Sequence, residues 1–176
     1  MSRIGLTPDQ LAATWSASGR PTYAARTPGL NILRGETIAL VGEGSEAVMQ
    51  ELGAVLPDAA PVDGGAAAQA GAVRIHAQEA ARAGAESLLV SDPFSDTAEP
   101  ARSLAVADLA GLRSLGVTTI VVVRDVDLAA AFADRVAVVQ AGRVAAAYPV
   151  LAPAPRTADD IAPVSRRVAS RLRPAD

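Results

Sequence analysis

The feature that most constrains this chain is a set of short, continuous apolar runs, each followed by a turn and then by a helical pattern. The runs at 37–41 (TIALV), 88–90 (LLV) and 118–123 (TTIVVV) are typical of strands buried on both faces. Strands that alternate with helices are joined by crossover connections and form parallel sheets covered on both sides. We therefore predict an α/β fold with a mostly parallel sheet and helices on both faces, in which a ligand would lie beyond the carboxyl ends of the strands.

Helices are predicted where apolar residues recur at helical spacing, over 46–56 and 99–115, with Pro57 and Gly116 as their stops. Residues 58–69 are rich in alanine, glycine and proline and are predicted to form a loop, and residues 20–28 show no clear period. The other predicted elements are a weak helix at 76–83, a short helix through Phe132, and strands at 135–139 and 143–147.

The two ends of the chain have their own patterns. Thr7 as a cap, Pro8 at the first helical position and Gln10 closing a capping box predict an N-terminal helix that fades by Gly19. We assign a single domain to residues 1–150, including this helix, and a Pro- and Arg-rich, partly helical tail to residues 151–176. The arginines of the tail are expected to form the solvated face of a helix, with acidic lipid or protein as the alternative partner; they are Arg166, Arg167, Arg171 and Arg173.

Composition excludes several classes of function. The 176 residues include 16 basic and 19 acidic side chains, a mildly acidic balance that argues against nucleic acid as a partner. The chain has no cysteine, which excludes thiolate metal sites and cysteine nucleophiles, and no lysine, which excludes lysine-dependent chemistry. The N-terminus lacks an apolar leader pattern, and no run approaches the roughly 18 apolar residues of a spanning helix, so we expect a cytoplasmic protein without membrane insertion.

Three blocks of sequence follow one another in a recognisable order. They are residues 34–43 (RGETIALVGE), residues 88–95 (LLVSDPFS), and residues 116–125 (GVTTIVVVRD) followed by ADRVAVV and GRV. These blocks resemble the ATP-binding subunits of ABC transporters, closest to the sugar-import branch of this P-loop NTPase family. The first resembles the strand that leads into the phosphate loop, the second the Walker B strand and its acidic-proline turn, and the third the switch strand and the closing hairpin. Together the blocks span about two thirds of the chain in the family's order.

The resemblance also implies that the phosphate loop is degenerate. The family's G-x-x-x-x-G-K-[ST] loop holds phosphates with backbone N–H groups, a lysine and a magnesium-binding hydroxyl. In this chain the loop is three residues shorter, as Gly42-Glu43-Gly44-Ser45. Aligned on the following helix, Ser45 stands at the lysine position and Glu46 at the hydroxyl position, where a carboxylate would repel a triphosphate.

The other positions that the family uses for catalysis differ too. Ser91 and Asp92 correspond to the magnesium-binding aspartate and the glutamate that handles the attacking water, and Arg124 corresponds to the switch histidine. Only 25 residues separate Gly65 from Ser91, too few for the helical subdomain with its Q-loop and L-S-G-G-Q signature, which also grips the permease. We therefore expect that this subdomain is missing, and we expect no metal and no cofactor; weak nucleotide binding stays open.

Each of these residues also has a structural interpretation. Gly42 and Gly44 taken alone would favour a simple tight turn, Asp92 beside a proline favours a turn former, and Asp125 is expected to cap the next helix. His76 has no partner at ligand spacing and is expected to be an ordinary surface or core residue. Packing is also the favoured role of Tyr23 and Trp15, which could otherwise echo the aromatic residue that stacks on adenine in the family.

The leading hypothesis is a pseudo-ATPase: an inactive ABC-ATPase-like protein that acts as an accessory or protein-interaction subunit. Its partner would be an intact ABC ATPase, a permease or a second copy of the same chain. One alternative is an ATP-binding subunit of a divergent sugar importer that borrows catalytic groups from an intact partner. A second alternative is an enzyme that uses the glycine turn and the following helix N-terminus to bind another anion or cofactor.

Overall fold

The computed structural model describes residues 23–69 and 71–173; the predicted N-terminal helix lies outside these ranges. The chain forms a two-stranded hairpin and a six-stranded sheet with helices on both faces. The strands are β1 Tyr23–Thr27, β2 Leu30–Leu33, β3 Thr37–Val41, β4 Ala59–Asp63, β5 Ser87–Ser91, β6 Thr118–Val122, β7 Arg135–Gln140 and β8 Arg143–Pro149. The helices are α1 Ser45–Val55, α2 Gly64–Gln69, α3 Val73–Arg82, α4 Ala101–Gly111, α5 Val126–Phe132 and α6 Ala158–Leu172, and a 3-10 turn covers Leu112–Leu115.

The six-stranded sheet has the order β4-β5-β6-β3-β7-β8. The five strands from β4 to β7 are mutually parallel, and only the closing pair of β7 and β8 is antiparallel. β3 therefore lies between β6 and β7, although 76 residues separate the end of β3 from the start of β6 (42–117). The predicted α/β class with a mostly parallel sheet is confirmed.

Side chains of the central strands alternate between two cores. Ile38 and Leu40 pack with α1 and the β1–β2 hairpin on one face. Ala39 and Val41 face the opposite core, which holds the buried residues of the other five helices. Each large aliphatic side chain that is buried in this way stabilises the fold by about 1.5–3 kcal/mol, so the apolar runs of the sequence account for both layers.

Two regions differ from the sequence prediction. Residues 58–69, predicted to be a loop, form β4 and α2. β4 is an edge strand and pairs only with β5, so Pro61 can occupy it, since a proline on an edge removes few ladder bonds. Apart from Gln69, α2 consists only of glycine and alanine, yet Ala67 and Ala68 are buried against the sheet, which compensates for its weak pattern. The unpatterned stretch 20–28 contains β1, whose partner is β2.

An ion pair joins the hairpin to the sheet at the amino ends of β3 and β7. Both the Nε and Nη2 atoms of Arg135 donate to the carboxylate of Glu36, and Nη2 also donates to the Asn31 carbonyl. The Leu33 N–H donates to the same carboxylate at 3.0 Å. Burial raises the pKa of Glu36, although Arg135 opposes this effect. The pair therefore connects three segments of the chain inside the protein.

Helix α6 begins with a capping box and packs on the sheet. The Thr157 hydroxyl and the Asp160 carboxylate bond to each other's backbone N–H groups. Val164 and Val168 are buried in the same core as α5, while the four arginines of this segment are exposed. The predicted helix with a solvated arginine face is thus present between residues 158 and 172.

Candidate functional site

The candidate site lies at the carboxyl ends of β5, β6 and β3, which are neighbours in the sheet. Helix α1 leaves β3 on one face, whereas α5 follows β6 on the other face. In open parallel sheets the crevice between two strands whose connections leave on opposite faces is the usual ligand site. The glycine turn after β3 and Arg124 after β6 flank this crevice.

The glycine turn packs directly on the end of β7 and on the turn between β7 and β8. Gly42 has φ +113°, and a Cβ added there would overlap the carbonyl oxygen of Val139. Gly44 has φ +85°, and its Cβ would lie 2.9 Å from the Cα of Gly142. Since L side chains rarely adopt such positive φ values and the neighbours are backbone atoms, both glycines are required by the packing of the chain itself.

Ser45, at the position that the resemblance assigns to the phosphate-binding lysine, is turned back into the turn. Its hydroxyl donates to the Gly42 carbonyl at 2.7 Å, and the residue is buried. Glu43 and Glu46 are exposed beside it. Glu46 lies in the first turn of α1, where an acidic side chain is favoured by the helix dipole.

Asp92 and Arg124 come together across the ends of β5 and β6. Arg124 Nε lies 2.9 Å from Asp92 Oδ2, in an ion pair whose angles are not those of a hydrogen bond. The aspartate side chain is 15% exposed and the arginine side chain 85% exposed. Ser91 ends β5 and is half-buried. No side-chain hydrogen bond or ion pair in the described ranges connects this pair to the glycine turn.

Asp125 and His76 lie outside this pair, at the start of α5 and on α3. Asp125 is the cap of α5, because its carboxylate accepts from the N–H groups of Asp127 and Leu128 at 2.8 and 3.0 Å. His76 is exposed on α3 and is thus a surface residue, one of the two environments, surface or core, that were predicted for it. The prediction that no carboxylate stands at ligand spacing from His76 was wrong: Glu79, one helical turn further on, lies 3.7 Å from its Nδ1.

A second glycine contact at this edge of the sheet was not predicted from the sequence. A Cβ on Gly64, the first residue of α2, would overlap the Ser91 carbonyl oxygen. The Asp63 carboxylate accepts from the Ala66 N–H at 3.0 Å and caps this helix. The Asp-Gly-Gly sequence at 63–65 was the available signal for a helix start, but the surrounding alanines and prolines obscured it.

None of the helices within residues 23–69 and 71–173 has the length and apolar character needed to cross a bilayer. Comparison of the chain with protein-family models and with curated proteins finds no match.

Proposed function

We propose that this protein is a catalytically inactive relative of ABC ATP-binding subunits, a pseudo-ATPase that acts through contacts with other proteins. The observation that carries the proposal is the internal packing of the glycine turn. Gly42 packs on Val139 at the end of β7, Gly44 packs on Gly142 in the β7–β8 turn, and the Ser45 hydroxyl bonds to the Gly42 carbonyl within the glycine turn. The positions that the resemblance assigns to phosphate binding therefore serve the fold.

Charge at the site also supports this proposal. Glu43 and Glu46 are exposed at the turn, and the crevice contains a third carboxylate, Asp92. Two like charges 4 Å apart near a protein surface repel by about 4 kcal/mol. Arg124, which follows β6 beside this crevice, is already paired with Asp92. A nucleotide triphosphate would meet acids where the family supplies a lysine and a metal.

Isothermal titration of the full chain with MgATP, together with a phosphate-release assay, tests the absence of nucleotide chemistry. We expect no saturable heat and no release of phosphate above buffer. Micromolar affinity or measurable turnover would overturn the proposal and favour the divergent importer subunit. Saturable binding of inorganic phosphate at the turn, lost in Ser45→Glu, would instead favour an enzyme that uses another anion.

The exposed face of α6 is the surface that best supports a role through protein contacts. Between residues 161 and 173 the helix and its C-cap residue have four exposed arginines and no acidic residue, and none of the four forms an ion pair with a described residue. Its apolar positions are already buried in the core, so the arginines are not needed to attach the helix. They are Arg166, Arg167, Arg171 and Arg173.

Co-expression with an ABC ATPase or permease from a neighbouring gene tests this second part of the proposal. We expect co-purification that is weakened by the double variant Arg167→Gln/Arg171→Gln. The matched control is Arg26→Gln/Arg82→Gln, which removes the same charge from exposed positions on the β1–β2 hairpin and α3. Equal retention by both double variants would contradict a role for α6.

A further inference from the structure

A groove lies on the face of the sheet that carries α2 to α6. It is formed by α4, α5 and the segment before α6, and none of its lining residues belongs to the glycine turn. Its volume is about 520 Å³, within the range of small-molecule sites. The lining is mostly small and apolar and contains a single charged side chain; the principal residues are Val106, Ala107, Ala110, Gly111, Ala131 and Arg156. A groove of this kind can bury an apolar body of modest size.

Arg156 is held in place at one end of this groove by backbone carbonyls. Its Nε donates to the Ala152 carbonyl at 2.7 Å, and its Nη1 donates to the carbonyls of Ala130 and Ala133 at 3.0 and 2.7 Å. The last two belong to the end of α5, where a cation is favoured. Nη2 has no acceptor among the residues that the structure describes, so part of the guanidinium fork is unused.

The charge of Arg156 is only partly compensated. Burial lowers the pKa of its guanidinium, and the carboxylates of Asp134 and Asp160 act in the opposite direction. Neither carboxylate is within ion-pair distance, and each has its own partners: the Thr37 N–H for Asp134 and Thr157 for Asp160. A partly buried cation without an adjacent anion is a favourable position for an external anion.

We propose that this groove binds a small monocarboxylate with an apolar body, such as a medium-chain fatty acid. The guanidinium of Arg156 receives the carboxylate, since this pairing is a strong, charge-assisted hydrogen bond. The apolar lining of α4 and α5 covers the body of the ligand. The nearby carboxylates of Asp134 and Asp160 disfavour a dianion such as a phosphate monoester, which selects for a single negative charge.

Calorimetric titration with decanoate tests the proposal, with decanol and decyltrimethylammonium as probes that share the apolar body. We expect saturable decanoate binding at least about tenfold tighter than that of either control, a difference of about 1.4 kcal/mol. Ala107→Phe fills the groove from an exposed position of α4 and should abolish binding. Ala47→Phe, at an exposed position of α1, is the matched control and should bind like the unmodified protein.

Arg156→Lys keeps the positive charge but loses the planar fork, and should bind decanoate about tenfold more weakly. Because Arg156 also bonds to the end of α5, circular dichroism must show that this variant is folded. If it is not, the two phenylalanine variants still decide the question. Equal binding of decanoate and decanol, or unchanged binding by Ala107→Phe, would overturn the proposal.

Discussion

Replacing Gly42 by alanine tests directly whether the glycine turn serves the fold. The residue has φ +113°, and the added Cβ would overlap the backbone carbonyl of Val139. Left-handed backbone costs an L residue about 1–2 kcal/mol, and forcing an extra carbon into a packed site costs about 1–3 kcal/mol more. We therefore expect Gly42→Ala to lower the free energy of unfolding by about 2–5 kcal/mol in the absence of any ligand.

Gly84→Ala is the matched control for this experiment. Gly84 has a similar φ of +100°, but nothing lies within 4 Å of the added Cβ, so only the backbone strain of about 1–2 kcal/mol should remain. Urea unfolding followed by circular dichroism measures both free energies. Thermal unfolding should show the same order, at roughly 2–4 °C per kcal/mol for a chain of this size. Equal losses in the two variants would refute the packing argument for the turn.

Three further predictions concern charges. Arg135→Met should lower the free energy of unfolding by about 3–5 kcal/mol, because it leaves Glu36 buried without its partner. Glu36→Leu/Arg135→Met should lower it by much less than the sum of the two single variants. Additive losses in denaturant unfolding would contradict this. The N–H and hydroxyl of Thr157 lower the pKa of Asp160 from its ordinary 3.8. The ionised Asp160 therefore stabilises the fold fully above pH 3.8, and this stabilisation is lost as the pH falls through the lower pKa of the folded state. Unfolding curves of Asp160→Asn should lack this acid-dependent component. Arg124→Ala should change stability by no more than about 1 kcal/mol, because the arginine of its pair with Asp92 is largely exposed, and a larger loss by the same measurement would show that the pair holds the two loops.

Local sequence was sufficient for the elements whose cores are built from large apolar residues. β3 and β6 are continuous β-branched or aliphatic runs, and α1 has Val48, Met49 and Leu52 buried on one side. The same reasoning failed for β4 and α2, whose alanines, glycines and single proline have little intrinsic preference. These two elements exist because the edge of β5 and the sheet surface provide partners, which no local pattern records.

At the candidate site, the sequence by itself determined which chemical groups are available: two glycines, acids at 43, 46 and 92, an arginine at 124, and no lysine. Only the tertiary structure decided what they contact, because the strand order brings residues distant along the chain together. In the folded chain Arg124 pairs with Asp92, and Gly42 lies against the carbonyl of Val139. A glycine that can bind a phosphate and a glycine that must accommodate a neighbouring backbone are identical in sequence, and the difference lies in the strand packed beside it.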